Sequence, residues 1–220
     1  PASIGHLNLR EMLTRVESEK VNKPKYIPRD YSVDDSLLGQ VEDFLSSEET
    51  EIILKPNIPL NNRNKSVGGQ LSIDIERILN YGKKVKSGSI VTDNRGRCFL
   101  DYESVKIATQ GSAGQSFGAF CNDGMVFEHT GTCNDGVGKG ACGGKIIVKS
   151  PAGGGEHYGD NVLVGNFTLF GASGGKTFIE GQAGDRFAVR NSGATAVVEG
   201  VGEFCAEYMT NGAILNIGGF

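Results

Sequence analysis

The 220-residue sequence contains no tryptophan, and aromatic residues make up only 8% of it. No apolar run approaches the roughly 18 residues that a membrane-spanning helix needs, and no block of five or six like charges occurs. Because the net charge is −4, we expect the chain to bind neither nucleic acid nor a membrane. The N-terminal residues mix polar and apolar side chains instead of forming a signal peptide, so we expect a cytoplasmic protein.

The sequence also lacks paired cysteine motifs. Its cysteines are odd in number and form no CxxC pair, which predicts reduced, buried thiols instead of a disulfide framework. The five are Cys98, Cys121, Cys133, Cys142 and Cys205. A zinc site built from Cys133, Cys142 and His129 remains an alternative, although these residues lack the short ligand pairs of most structural zinc sites.

A recognisable set of catalytic side chains is missing as well. A thiol nucleophile needs an oriented base, and the three histidines, His6, His129 and His157, stand in no active-site motif. We therefore predict no catalytic residue, no cofactor-binding residue and no metal ligand in this chain.

Glycine is the abundant residue, and its distribution divides the chain. Of 33 glycines, 7 lie in residues 1–110 and 26 in residues 111–220. Together with the change in hydrophobic pattern, this predicts an N-terminal region of helices and extended segments over 1–103 and a second domain over 104–220.

The N-terminal region shows four local signals. Ser32 begins a capping-box pattern that predicts a helix of about a dozen residues. The β-branched run Glu51–Lys55 predicts a strand that ends at Pro56. Apolar residues at helical spacing predict a second helix from about Lys65 to Leu79. A turn at 94–96 predicts a β-hairpin.

In the second region, five glycines each precede a β-prone run, and three of the four intervals between them are 18 to 20 residues. The five, which we call the register glycines, are Gly124, Gly144, Gly175, Gly193 and Gly212. Such a period predicts a mainly β protein, a single-stranded right-handed parallel β-helix (a solenoid) with an α-helical N-terminal cap. The pattern leaves open whether Thr177 and Ile179 or Phe178 and Glu180 point inward.

Two glycine motifs resemble nucleotide-binding loops but lack their context. GVGKGA at 136–141 has no surrounding βαβ unit, so it does not indicate a dinucleotide site. GASGGKT at 171–177 is one residue too short between its outer glycines for a P-loop, and no helix is predicted after it.

Four segments together resemble one family. They are GSAGQSFGAF, GVGKGACGGKIIV, NVLVGNFTLFGASGGKTFIEGQAGDRFAVRNSGATAVVEG and EYMTNGA. They are similar to the C-terminal GXGXG domain of the large subunit of glutamate synthase, over about Ser104 to Gly219. The resemblance implies a right-handed β-helix without catalytic residues, packed between a glutamine-hydrolysing domain and a domain that carries FMN and an iron–sulfur cluster. We expect structural roles for the three glycines of the GXGXG motif and for four of the register glycines: Gly136, Gly138, Gly140, Gly144, Gly175, Gly193 and Gly212.

The resemblance implies a function for the chain as a separate polypeptide. We expect a non-catalytic structural subunit of a split glutamate synthase-type complex, serving glutamine-dependent glutamate biosynthesis. Its partners would be a class II glutamine amidotransferase subunit and an FMN/iron–sulfur synthase subunit, and self-association into a homo-oligomer is compatible with the pattern. Related GXGXG subunits of N-methylglutamate synthase and formylmethanofuran dehydrogenase, and an independent metal-binding module, are the alternatives. Residues 83–103, with their hairpin, depart from the family pattern.

Overall fold

The structure is a computed structural model that describes residues 8–15, 30–82, 85–151 and 160–219. Two helices and ten strands occur in these residues. Their order is α1 (Ser32–Leu45), β1 (Ile52–Leu60), α2 (Gly69–Tyr81), β2 (Ile90–Thr92), β3 (Cys98–Leu100), β4 (Val105–Ala113), β5 (Met125–Cys133), β6 (Cys142–Lys149), β7 (Val162–Val164), β8 (Gly174–Ala183), β9 (Ser192–Gly200) and β10 (Asn211–Gly219).

Eight of the strands in the described residues form one parallel sheet. Its order is β1-β4-β5-β6-β8-β9-β10, and the short β7 pairs with both β5 and β8. The remaining two strands, β2 and β3, pair antiparallel around residues 94–96. The predicted hairpin is therefore confirmed.

The prediction of a right-handed β-helix solenoid with an α-helical cap was wrong. Each glycine-led repeat supplies one long strand to a single parallel sheet, and most of its remaining residues form turns instead of further strands. At the N-terminal side of the sheet, the neighbour of β4 is the strand β1 and not a helical layer. Regular glycine spacing revealed the repeating unit, but it carries no information on how many strands a unit contains. The division at residues 103 and 104 stays a prediction.

The sheet decides which side chains of each strand form the core. In β8, Thr177 and Ile179 are buried, whereas Phe178 is 39% exposed. Their partners in register on the neighbouring strands are buried in the same phase: Ile146 and Val148 on β6, and Ala196 and Val198 on β9. Inward-facing residues of consecutive strands thus stack in rows, which the alternating apolar and polar pattern of one strand alone did not reveal.

Strand β1 is longer than the sequence predicted. It continues past Pro56 to Leu60, and its pairing with β4 shifts register between Leu54 and Ile58. Asn57 has a positive φ of 53° within this irregular stretch. Because proline has no N–H to donate, a bulge at this point allows the strand to continue on the sheet edge.

Both predicted helices are present, and each buries one apolar face. The buried apolar residues are Leu37, Val41, Phe44 and Leu45 on α1, and Leu71, Ile75 and Leu79 on α2. No helix among the described residues is long and apolar enough to span a membrane.

The buried Asp34 of α1 joins the two helices. Its two carboxylate oxygens accept hydrogen bonds from the backbone N–H groups of Gly68 (2.8 Å) and Leu71 (3.0 Å) at the start of α2. The first turn of a helix has N–H groups without partners in the helix itself, and a residue distant in sequence supplies their acceptor here.

Candidate functional site: the stacked turns around the glycine triplet

Five turn segments, which we call the turn layers, lie between the long strands and stack on one another. In each layer three alternate residues have φ between 44° and 76°, the left-handed region. The layers are residues 116, 118 and 120; 136, 138 and 140; 167, 169 and 171; 186, 188 and 190; and 204, 206 and 208. The glycine triplet Gly136, Gly138 and Gly140 occupies all three left-handed positions of the second layer.

Hydrogen bonds join each of the three inner layers to the layers on both sides, as the second layer shows. The N–H groups of Gly136 and Gly140 donate forward to the carbonyls of Asn166 and Phe170, each at 2.9 Å. The N–H of Gly138 donates backward to the carbonyl of Phe117, also at 2.9 Å. The three left-handed glycines thus direct their N–H groups alternately to the third and the first layer, so the second layer is bonded to the layers on both sides.

Glycine is required in the second layer because neighbouring side chains fill the space beside its backbone. A Cβ on Gly136 would lie 2.8 Å from Cε2 of Phe167, and a Cβ on Gly138 would lie 2.8 Å from Cδ2 of Leu169. A Cβ on Gly140 would lie 2.9 Å from Cε1 of Phe120. The triplet therefore forms a backbone surface on which the side chains of the first and third layers pack.

The register glycines lie against backbone atoms, whereas the triplet lies against side chains. A Cβ on any of four of them would lie 2.3–2.4 Å from a backbone carbonyl oxygen of the preceding repeat: Gly144 from Asn122, Gly175 from Gly143, Gly193 from Ser173 and Gly212 from Ala194. Three of these four, all except Gly193, also have positive φ. These glycines stand where consecutive repeats approach most closely through their backbones.

Comparison with known proteins agrees with this motif. A family model described as the GXGXG motif matches residues 34–220. The chain belongs to the GXGXG family. It is 40% identical over 197 residues to the glutamate synthase [NADPH] large chain of Bacillus subtilis (strain 168), covering 87% of this chain and 12% of that protein.

Two further relatives show the same relationship. The chain is 36% identical over 218 residues to the chloroplastic ferredoxin-dependent glutamate synthase of Spinacia oleracea, covering 97% of this chain and 12% of the relative. It is 47% identical over 130 residues to the glutamate synthase [NADPH] large chain of Azospirillum brasilense, covering 59% of this chain and 9% of the relative. The GXGXG chain thus spans about an eighth or less of the length of these relatives.

The structure separates the three residues of the alternative zinc site. His129 and Cys133 lie on β5, whereas Cys142 begins β6. Val148 is the β6 partner of His129, six residues along the strand from Cys142, which corresponds to about 20 Å at the usual rise per residue. Among the residues that the structure describes, no group of three or more His, Cys, Asp or Glu is placed to hold a metal ion.

His129 is a core residue with both ring nitrogens hydrogen-bonded. Nδ1 lies 2.9 Å from Oγ1 of Thr109, and Nε2 lies 3.2 Å from the carbonyl oxygen of Gly111 and 3.1 Å from that of Thr132. Because carbonyl oxygens only accept, the proton of the neutral ring belongs on Nε2. Burial lowers the pKa of His129, and the two carbonyls oppose this shift only in part.

The thiols occupy several environments. Within the described residues all five cysteines are free. Cys121 and Cys133 are buried, as predicted, and Cys98 and Cys205 are half-buried, but the prediction of burial was wrong for Cys142, which is exposed. Burial raises the pKa of the Cys121 and Cys133 thiols. Because the thiolate is the nucleophilic form, a raised pKa makes both thiols poor nucleophiles at neutral pH.

The motifs that resemble nucleotide-binding loops have other roles in the GXGXG structure. All three backbone N–H groups of the glycine triplet donate within the stack, as described above, so they do not form a phosphate cradle. Gly174 begins the strand β8, whereas a P-loop is followed by a helix. The two motifs are therefore elements of the repeat.

Sequence reasoning missed the non-glycine members of the turn layers, such as Arg186, Ala188 and Arg190. The segments 184–193 and 202–211 do repeat with an offset of 18 residues, which marks them as equivalent positions of two repeats. Nothing local marks these residues as left-handed, since most L-residues avoid positive φ when the rest of the fold does not impose it.

Sequence reasoning also missed Arg97, which stands directly before β3 in the hairpin. Its guanidinium donates to Glu76 on α2 and to Asp123 before β5, each at 3.1 Å. The hairpin thus links α2 to the start of β5. No local motif predicts the pairing, because the two carboxylates lie 21 and 26 residues from the arginine in the sequence.

Proposed function

We propose that this chain is the non-catalytic structural component of a glutamate synthase-type complex, in glutamine-dependent glutamate biosynthesis. As a separate subunit, it would hold a class II glutamine amidotransferase subunit and an FMN/iron–sulfur synthase subunit in a fixed arrangement. FMN and the iron–sulfur cluster would belong to the partner and not to this chain.

The observation that carries the proposal is the use of the glycine motif within the protein. Every N–H group of the triplet donates to another turn layer, and the faces of the glycines contact Phe120, Phe167 and Leu169. The glycines of the family motif therefore build a hydrogen-bonded, closely packed stack. The relatives that share this segment are named glutamate synthases, which supports the choice of complex over the N-methylglutamate synthase and formylmethanofuran dehydrogenase alternatives.

The test begins with the full chain, tagged and purified from its own cells, with co-purifying subunits identified by mass spectrometry. We expect a class II amidotransferase subunit and an FMN/iron–sulfur subunit in the same complex. The purified partners are then assayed for glutamine-dependent glutamate formation with and without this chain. We expect coupled activity only when the chain is present.

Two results would contradict the proposal. One is equal glutamate formation by the two partners in the presence and in the absence of this chain. The other is co-purification with the subunits of a different oxidoreductase, which would transfer the structural role to that complex.

A further inference from the structure

Beside the glycine triplet lies a groove with a volume of about 480 Å³, between α2, the segment before it and the first two turn layers. Its cationic lining residues are Arg63, Lys65 and Lys139. Lys139 stands between the second and third glycines of the triplet. We call this surface the basic groove.

The three cations are exposed and are not used by the fold. Within the described part of the chain, the ion pairs involve Arg77, Arg97, Lys106, Lys145 and Lys149, and none of the groove cations. The net charge of the chain is −4, so a cluster of positive charge stands out against an acidic background. Like charges around one concave surface repel one another, and an anionic partner relieves that repulsion.

Hydrogen bonds hold the backbone that carries these cations. The carbonyl of Lys139 accepts a hydrogen bond from the N–H of Phe120 at 2.9 Å, and the N–H of Lys65 donates to the carbonyl of Arg63 at 3.0 Å. The next residue, Ser66, donates its N–H to the carbonyl of Gln115 at 2.7 Å. The positions from which the charges project are therefore organised before any partner binds.

The basic groove also has apolar lining. Ile73 of α2 is 40% exposed and Phe120 of the first turn layer is 47% exposed. Asp30 also lines the groove, and its carboxylate accepts a hydrogen bond from the N–H of Ser32 at the start of α1. A ligand that complements this surface needs carboxylates for the cations and an apolar side chain to cover Ile73 and Phe120.

We propose that the basic groove is the docking site for an acidic segment, bearing at least one exposed apolar side chain, on a partner subunit of the complex. The proposal rests on the proposed function, and it names the chemistry of the partner surface that the structural component holds. Charge attracts the segment over a distance, and contact with Ile73 and Phe120 fixes its position.

The experiment measures the affinity of the full chain for each purified partner subunit by titration calorimetry. The variant Lys65→Glu/Lys139→Glu reverses two charges in the groove. The matched control Lys86→Glu/Arg95→Glu makes the same change in net charge at two exposed residues outside it. We expect the groove variant to weaken binding of one partner at least about tenfold and the control less than about twofold, with both effects shrinking between about 50 mM and 500 mM salt.

Thermal unfolding of both variants checks that they are folded. Equal affinities of the wild type and the groove variant would overturn the docking site while leaving the proposed function standing. Equal losses in the groove variant and the control would also overturn it, because they would show a general charge effect. If the wild-type chain binds neither partner, both the proposed function and this docking site are wrong.

Discussion

The ring of Phe167 lies against the backbone of Gly136, with its Cε2 only 2.8 Å from the point where a Cβ on that glycine would stand. The contact joins the third turn layer to the second through a side chain, in addition to the hydrogen bond from Gly136 to Asn166. The motif thus needs glycine because side chains pack directly on its backbone. The stability lost on replacing a glycine should therefore depend on what that glycine contacts.

A comparison of Gly138→Ala with Gly171→Ala separates the cost of disturbed packing on the triplet from the cost of the left-handed backbone. Gly171 has nearly the same φ (64° against 62°), but nothing lies within 4 Å of the point where its Cβ would stand. Gly171→Ala should cost about 1–2 kcal/mol from the left-handed backbone alone. Gly138→Ala should cost about 1–3 kcal/mol more because its methyl group meets Leu169 and Ile146. Urea unfolding at equilibrium measures both, and equal losses would contradict the packing explanation.

Gly175→Ala should be much more damaging than Gly96→Ala. Its Cβ would lie 2.4 Å from the carbonyl oxygen of Gly143, and a hydrogen-bonded sheet cannot move its backbone as easily as a core can move a side chain. We expect a loss of more than about 3 kcal/mol or failure to fold. Gly96→Ala is the control, because Gly96 has φ 85° and open space around it. Equal unfolding free energies for the two variants would refute the prediction.

The buried His129 should make stability fall at acid pH. Its pKa is lowered in the folded state, so the ring is neutral in both the folded and the unfolded chain only above the unfolded pKa of about 6.5. Below that pH the unfolded chain is protonated first, and the free energy of unfolding drops by up to about 1.4 kcal/mol per pH unit until the folded pKa is reached.

Urea unfolding at a series of pH values checks this, with His129→Gln as the comparison. The variant is expected to be less stable throughout, since it changes the hydrogen bonds to Thr109 and Thr132. Its stability should, however, depend less on pH between the two pKa values. An unchanged pH dependence in the variant would show that other groups are responsible.

Asp34→Asn should weaken the junction of the two helices. Both carboxylate oxygens accept backbone N–H groups at the start of α2, and an amide would place an NH₂ donor against one of them. We expect a loss of about 1–3 kcal/mol. The neighbouring Asp35 is exposed, so Asp35→Asn should change stability by less than about 0.5 kcal/mol. Similar losses in the two variants would contradict this role.

Arg97→Met should loosen the attachment of the hairpin to α2. The guanidinium pairs with Glu76 and Asp123, but its side chain is 38% exposed, so solvent screening limits the loss to about 1 kcal/mol. Amide hydrogen exchange should accelerate at the end of α2 and at the start of β5. Arg95→Met, in the turn of the same hairpin, is the control. Unchanged exchange in Arg97→Met would show that the ion pairs do not hold the hairpin.

Much of the local structure was predictable from the sequence. The β-prone runs after the register glycines lie in strands, the turn at 94–96 forms a hairpin, and the two helices form near their predicted residues. These features depend on residues close together in the chain, where side-chain pattern and the conformational freedom of glycine act directly. The family resemblance was likewise carried by contiguous segments, and the family model confirms it.

What the tertiary structure decided is how the repeats meet. Only the pairing of β8 with β6 and β9 determines that Thr177 and Ile179 face inward. The positive φ of Arg186 and Arg190 occurs where their N–H groups donate to the next turn layer. Both depend on contacts between residues far apart in the chain, so the glycine period predicted a repeat correctly, whereas the β-helix inferred from it was wrong because the strands form a single parallel sheet.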